Sequence, residues 1–290
     1  MRGTLVTCNE LALCLGCLLA YVVAAALDDA RWRWTVGLSG AMAAAQACAA
    51  VCVLEESELW LASAPVLRQS RRTGTLAARL ADVKRHRGPL AIAAGIAFAH
   101  GATGANAVLY YSRDVLQQAG LSQPLLVNCS VGLVKFLGAA ASVVAVDRLG
   151  RRVLLISGSA LMCVGQAGLS LAFSGCTLLP GATLTLSCML LFILAWNFSW
   201  SGLMLTIASE VLPQPVRGLG TGLVYAIYWL LSFVVSQTLE TTFEVVGESA
   251  TFAFYGITTA CALCFAWKCV PETNGTKLVD GESKRGLGDA

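Results

Sequence analysis

Of 290 residues, 57% are hydrophobic and only 13% charged, with a mean hydropathy of +0.70, whereas soluble domains carry about 25% charged residues. The apolar residues cluster into runs of about 20, the length that spans a bilayer, so a water-soluble fold is excluded. The net charge of +3 matters less than where the basic residues stand.

Eight apolar runs follow in order, at about 5–27, 34–53, 89–111, 125–146, 153–174, 181–205, 218–240 and 250–270. Lipid offers backbone groups no partners, and none of these runs shows strand-like alternation, so each is predicted to be a helix. The first is too long, and interrupted by Glu10, to be a signal-peptide core. The fold class is therefore an all-α membrane protein with about eight transmembrane helices.

One long polar connection, 54–88, separates the second run from the third and is dense in arginine. Short helices at the membrane surface are predicted there, with lipid headgroups as the partner of the charge rather than nucleic acid. The chain divides into a two-helix segment 1–53, this basic loop 54–88, a six-helix block 89–270 and a tail 271–290. With the N-terminus in the cytoplasm, sixteen of the twenty basic residues fall on the inner side, three (Arg31, Arg33, Arg113) fall outside, and Lys135 lies within a span. That asymmetry predicts cytoplasmic termini at both ends.

No catalytic set, phosphate loop or cofactor motif is visible, so an enzyme is not expected. Of the twelve cysteines, Cys14, Cys17, Cys48, Cys52, Cys163, Cys188, Cys261 and Cys264 lie inside apolar runs, where a thiol packs as a small hydrophobe. The pairs Cys14/Cys17 and Cys261/Cys264 have no second pair or histidine beside them, and no metal site is expected. What stands out instead is polarity along helix faces, which marks a path through the membrane. In the third run His100, Thr103, Asn106 and Tyr110 share a stripe of about 120° at roughly 100° per residue. In the fourth, Asn128, Lys135 and Ser142 recur on one face; in the seventh, Tyr225, Tyr228, Trp229 and Ser232 do.

Four motifs then fall in register. Asp147-Arg148-Leu149-Gly150-Arg151-Arg152 resembles the DRxGRR loop of the sugar porter family within the major facilitator superfamily. Gly104-Ala105-Asn106-Ala107-Val108-Leu109-Tyr110-Tyr111-Ser112 resembles its GINAVLYYS segment, Glu210-Val211-Leu212-Pro213 with Val216-Arg217-Gly218 its E-x-x-P…RG turn, and Pro271-Glu272-Thr273-Asn274-Gly275 its PETKG sequence. The opening Arg2-Gly3-Thr4-Leu5…Asn9-Glu10-Leu11 resembles the family's entry into helix five. The resemblance implies helices five to twelve of a twelve-helix fold: two helices of the N-terminal half and a complete six-helix C-terminal half.

From that resemblance follow candidate roles. Asn106 matches a sugar-binding asparagine, while His100 and Gly101 replace paired glutamines, Glu10 a binding-site glutamine, and Lys135 and Ser232 sugar-facing asparagines. With Tyr110, Trp200 and Trp229 these form the candidate substrate set. Because the family brings helices five and eight together, a charge pair between Glu10 and Lys135 is predicted. Ser201-Gly202-Leu203-Met204-Leu205 replaces GPIPW and loses both prolines, which predicts a straighter sixth span. Asp147, Arg151, Arg152, Glu210 and Arg217 match a cytoplasmic charge network that biases the gating equilibrium.

The function implied is transport of a sugar or related polyol by alternating access, in a shortened chain at the plasma membrane. The alternative is a non-transporting form that associates with a copy of itself or with a full-length relative.

Overall fold

The structure is a computed structural model, and it describes residues 2–26, 32–53, 55, 76–110, 112, 124–175 and 181–273. Most of the 54–88 loop and the tail beyond Thr273 lie outside the described residues. Every regular element within them is a helix. In chain order these are α1 (Arg2–Ala26), α2 (Trp32–Val53), α3 (Leu76–Arg85), α4 (Arg87–Ala102), α5 (Ala105–Tyr110), α6 (Pro124–Leu149), α7 (Arg151–Phe173), α8 (Gly181–Phe198), α9 (Trp200–Val211), α10 (Gln214–Val246) and α11 (Glu248–Cys269). Seven stretches are long and apolar enough to cross a membrane: α2, α4 with α5, α6, α7, α8 with α9, α10 and α11. The eighth expected span, α1, contains a shorter apolar stretch, Thr7–Val23.

The chain falls into two compact units, Met1–Leu19 with Gly88–Ala290, and Ala20–Arg87. In the smaller unit, every residue from Val36 to Val53 on α2 is exposed. In the larger unit α7 is the central helix, packed along α8 on one side and α11 on another, while α8 also lies along α6. Leu154, Leu155, Met162 and Leu169 of α7 and Phe192 and Ile193 of α8 are fully buried along these seams.

Without a hydrophobic force between helices in lipid, such packing depends on small residues that let backbones approach. A methyl at Gly158 would run into the Ser199 hydroxyl, and one at Gly165 would sit 3.0 Å from the carbonyl of Cys188. The first forces a neighbour to shift, and the second is a tight fit against the α8 backbone.

Two helices break where continuity was predicted. The third span is interrupted at Thr103-Gly104, with Gly104 at φ +70°, a left-handed conformation that costs glycine little. The Thr103 hydroxyl donates to the His100 carbonyl at 2.7 Å, and Gln166 Nε2 of α7 donates to the Thr103 carbonyl at 2.6 Å. Those bonds serve backbone groups at the break. The single 100° stripe through His100 and Asn106 is thus corrected, since two short helices carry them.

The sixth span is likewise not straighter for having lost its prolines: it breaks at Ser199 (φ −119°, ψ −83°). Asn197 Nδ2 donates to the Ile193 carbonyl at 2.8 Å and Ser199 Oγ to the Ala195 carbonyl at 2.7 Å. Polar side chains that bond back to the preceding turn bend helices in apolar surroundings. Proline was one route to a kink here, and Asn-Phe-Ser supplies another.

Candidate functional site

His100 ends up at the centre of an aromatic layer. It is 3% exposed, with its ring stacked on Tyr228 of α10 (centroids 4.8 Å apart, planes 8° apart), on Trp196 of α8 (5.4 Å) and near-parallel to Trp200 of α9 (6.2 Å). Its Nδ1 lies 2.8 Å from Met204 Sδ. Its Nε2 and the indole Nε1 of Trp196 are buried with no hydrogen-bond partner among the described residues. Buried polar atoms almost always find partners, and this layer holds two that have none among the described residues.

Asn106 is buried at the start of α5, and its Nδ2 donates to Ser232 Oγ at 2.6 Å. Ser232 in turn donates to the Tyr228 carbonyl at 2.8 Å, so this pair joins α5 to the turn of α10 that carries the His100-stacking tyrosine. An amide both donates and accepts, which suits a hydroxyl-bearing ligand. Of the residues singled out in the sequence, the fold brings His100, Asn106 and Ser232 to one region through Tyr228.

Other candidates lie elsewhere. Trp200 is fully buried and its indole N–H donates to Ser159 Oγ at 2.8 Å, so that N–H is engaged inside the helix bundle. Trp229 is 57% exposed, with its ring tilted on Tyr228. The Tyr110 and Asn128 side chains lie outside the described residues.

The predicted Glu10–Lys135 ion pair is not formed. Glu10 Oε1 accepts from Ser201 Oγ of α9 and lies 3.8 Å from Cys14 Sγ. Lys135 on α6 is 8% exposed, with Cys17 Sγ at 4.0 Å as its contact. Cys14 Sγ reaches Asn197 Oδ1 of α8 at 3.4 Å. The contact of Glu10 along α1 is thus the Cys14 thiol, and that of Lys135 is the Cys17 thiol.

At the other end of the helices a charge cluster gathers. Arg151 Nη2 contacts Glu210 Oε1 at 3.2 Å and Asp147 Oδ1 at 3.4 Å, with Arg151 itself 5% exposed. The backbone amides of Arg151 and Arg152 donate to the two carboxylate oxygens of Glu272 at 3.0 and 3.2 Å. Arg152 Nη2 also donates to the Trp267 carbonyl. A carboxylate over free amides at a helix N-terminus meets both unmet donors and the helix dipole.

Glu272 was missed as a member of this cluster, although it lies in the PET motif that sequence reading had noted. Gly150, at φ +90°, leaves room for it, because a methyl there would meet its carboxylate at 2.7 Å. Arg217 makes a different set of bonds, donating to the Leu212 carbonyl at 3.1 Å and to Gln214 Oε1 at 2.7 Å. It braces its own turn rather than joining the Arg151 cluster.

Comparison with known proteins fits this layout. The family described as sugar (and other) transporter matches residues 1–75 and 64–283. The D-xylose-proton symporter of Escherichia coli strain K12 is 29% identical over 322 residues, covering 98% of this chain and 65% of that protein. The facilitated trehalose transporter Tret1 of Apis mellifera ligustica is 29% identical over 205 residues, covering 69% of this chain and 41% of that protein. The solved proton:xylose symporter XylE bound to 6-bromo-6-deoxy-D-glucose superposes with a TM-score of 0.78 at 25% identity, over 96% of this chain and 66% of that one. The chain thus spans about two thirds of the length of the relatives that it matches throughout. Aligned helices, shared loop motifs and a family match along nearly the whole sequence lead to one assignment: the chain belongs to the sugar transporter family of the major facilitator superfamily.

Proposed function

We propose that this chain carries a sugar or a related polyol across a membrane by alternating access, with the layer around His100 and the Asn106–Ser232 pair contacting the solute. The observation that supports this reading most is the pair of partnerless nitrogens, His100 Nε2 and Trp196 Nε1, inside an aromatic wall. Flat rings pack on the apolar faces of a sugar ring while the nitrogens and the amide meet its hydroxyls. Relatives named for D-xylose and trehalose transport point to the same substrate class.

In this reading the Asp147–Arg151–Glu210 cluster, with Glu272 on α7, ties helix ends together in one state and releases them in another. Both termini face the cytoplasm, as the basic residues favour, and the membrane is the plasma membrane.

The test is uptake of labelled D-xylose, D-glucose and D-sorbitol by proteoliposomes holding only this chain, beside the variants His100→Phe and Asn106→Ala. His100→Phe keeps the stacking and removes the ring nitrogens. Uptake that falls about 10-fold or more in both variants supports the reading, since a lost polar contact in a buried site is worth about 1–3 kcal/mol. Uptake of none of the three solutes, or uptake indifferent to both substitutions, contradicts it.

A further inference from the structure

We propose that Met204 fixes the tautomer of His100 and so leaves the Nε2 of that ring as a hydrogen-bond acceptor for a solute hydroxyl. This rests on the reading of the layer around His100 as the solute site, and it names what that site demands: a group that donates.

The argument starts from one contact. His100 Nδ1 on α4 and Met204 Sδ on α9 stand 2.8 Å apart, with His100 3% and Met204 4% exposed. A thioether sulfur has no hydrogen to give and can only accept. A bare ring nitrogen at that distance would set two lone pairs against each other. Nδ1 therefore carries the hydrogen and donates to the sulfur.

The ring is also neutral. The ion pairs among the described residues join Arg151 to Asp147 and to Glu210, and none includes His100. An imidazolium in this layer would be a buried charge without a counter-ion, which costs far more than a neutral ring. A neutral imidazole has a single ring N–H, and the partner of one nitrogen decides which form is present. With the Nδ1 hydrogen engaged by Met204, Nε2 is bare. It is buried and has no partner among the described residues, so what it lacks is a donor.

One face of α9 brings this about. Trp200 and Met204 stand a helical turn apart on α9, where side chains share a face. Both reach the same imidazole, the indole as a near-parallel ring at 6.2 Å and the thioether through its sulfur. Tyr228 of α10 and Trp196 of α8 stack on it too, with centroids 4.8 and 5.4 Å away. The rings restrict the plane of the imidazole, and the sulfur selects where its proton sits. Met204 is thus a positioning residue that acts through His100. The consequence is selectivity: a hydroxyl can donate to Nε2, whereas fluorine in its place has no hydrogen and only adds repulsion.

The experiment has two arms on the full chain, purified without a histidine tag. The first is nitrogen–proton correlation NMR of ring-labelled histidine with no solute present. His86 is the other histidine, and His86→Gln identifies its signals. Protonated and bare ring nitrogens resonate far apart, so the spectrum reads the tautomer directly. The expected native spectrum has His100 Nδ1 protonated and Nε2 bare. In Met204→Leu, which keeps the volume and drops the sulfur, the proton should move wholly or partly to Nε2. The native spectrum needs no variant, so it decides the tautomer even where Met204→Leu fails to fold.

The second arm is binding of D-glucose, D-xylose and their derivatives with one hydroxyl replaced by fluorine, read by tryptophan fluorescence. In the native chain fluorine at one position should weaken binding about 10-fold or more. In Met204→Leu the same replacement should cost about 3-fold or less. A merely structural role for Met204 would weaken every sugar alike and leave that ratio unchanged.

A native spectrum with Nε2 protonated, alone or together with Nδ1, overturns the inference. So does a tautomer, or a fluorine penalty, that Met204→Leu leaves unchanged. The expected tautomer with no sugar bound at all overturns the sugar reading and the acceptor role with it, while the tautomer assignment stands.

Discussion

Replacing Arg151 by alanine should destabilise the chain more than any other single charge removal at this end of the bundle. Its guanidinium is nearly buried and reaches Glu210 Oε1 at 3.2 Å, Asp147 Oδ1 at 3.4 Å and the Val146 carbonyl at 3.5 Å. The Glu210 side chain is 19% exposed and its Oε2 has no hydrogen-bond partner among the described residues, whereas Asp147 is 33% exposed. Alanine therefore takes the guanidinium away from one mostly buried carboxylate, Glu210, and from the more solvated Asp147. Breaking a fully buried pair costs about 3–5 kcal/mol and breaking an exposed one about 0–1 kcal/mol; intermediate burial places this loss at about 2–4 kcal/mol.

Chemical unfolding in detergent micelles, followed by circular dichroism, measures that loss directly. A double-mutant cycle with Glu210→Ala should show a coupling of about 1 kcal/mol or more, as contacting residues do. A loss below about 0.5 kcal/mol for Arg151→Ala, or strict additivity in the cycle, would refute the claim that this arginine joins α6, α7 and α9. Arg217→Ala gives the internal contrast. It loses only bonds to its own turn, so a cost within about 1 kcal/mol and no coupling to Glu210 are expected.

Three further perturbations address the packing that positions the site. Gly158→Ala drives a methyl into Ser199 and should cost about 1–3 kcal/mol by overpacking, recovered in part by Ser199→Gly in the same unfolding assay. Gln166→Leu removes the donor that holds the Thr103 carbonyl at the α4–α5 break; a loss of about 1–3 kcal/mol is expected for the stranded acceptor, and no loss would show that the break does not depend on α7. Glu272→Gln keeps one carbonyl acceptor over the amides of Arg151 and Arg152, puts an NH2 donor in place of the other and removes the charge. It should therefore cost less than Glu272→Ala, by about 0.3–1 kcal/mol, and the thermal midpoints of the two variants should rank accordingly.

The helices were legible because hydropathy alone decides what lipid tolerates, and the loop motifs carried the family. Asn106 and Arg151 stood out in the sequence because they sit in the family motifs, and the structure buries both. The breaks at Thr103-Gly104 and Ser199 were not, because both arise from side chains bonding to backbone of neighbouring turns or helices, and periodicity assumes an uninterrupted helix. The Glu10–Lys135 pair failed for a related reason. Charge complementarity says that two groups attract, but Glu10 bonds to Ser201 and Cys14 instead, and Lys135 meets Cys17. Glu272 was hidden by distance along the chain: more than a hundred residues separate it from the amides it meets, |i−j| = 121 for Arg151.

Titration of the purified chain with D-xylose, D-glucose and D-sorbitol, read by tryptophan fluorescence to which Trp196 and Trp200 beside His100 contribute, tests the central claim most directly. Saturable quenching by at least one of these solutes, weakened about 10-fold or more in His100→Phe and in Asn106→Ala, is the predicted result. A flat response to all three, or quenching that both variants retain unchanged, would contradict the assignment of this aromatic layer as the solute site.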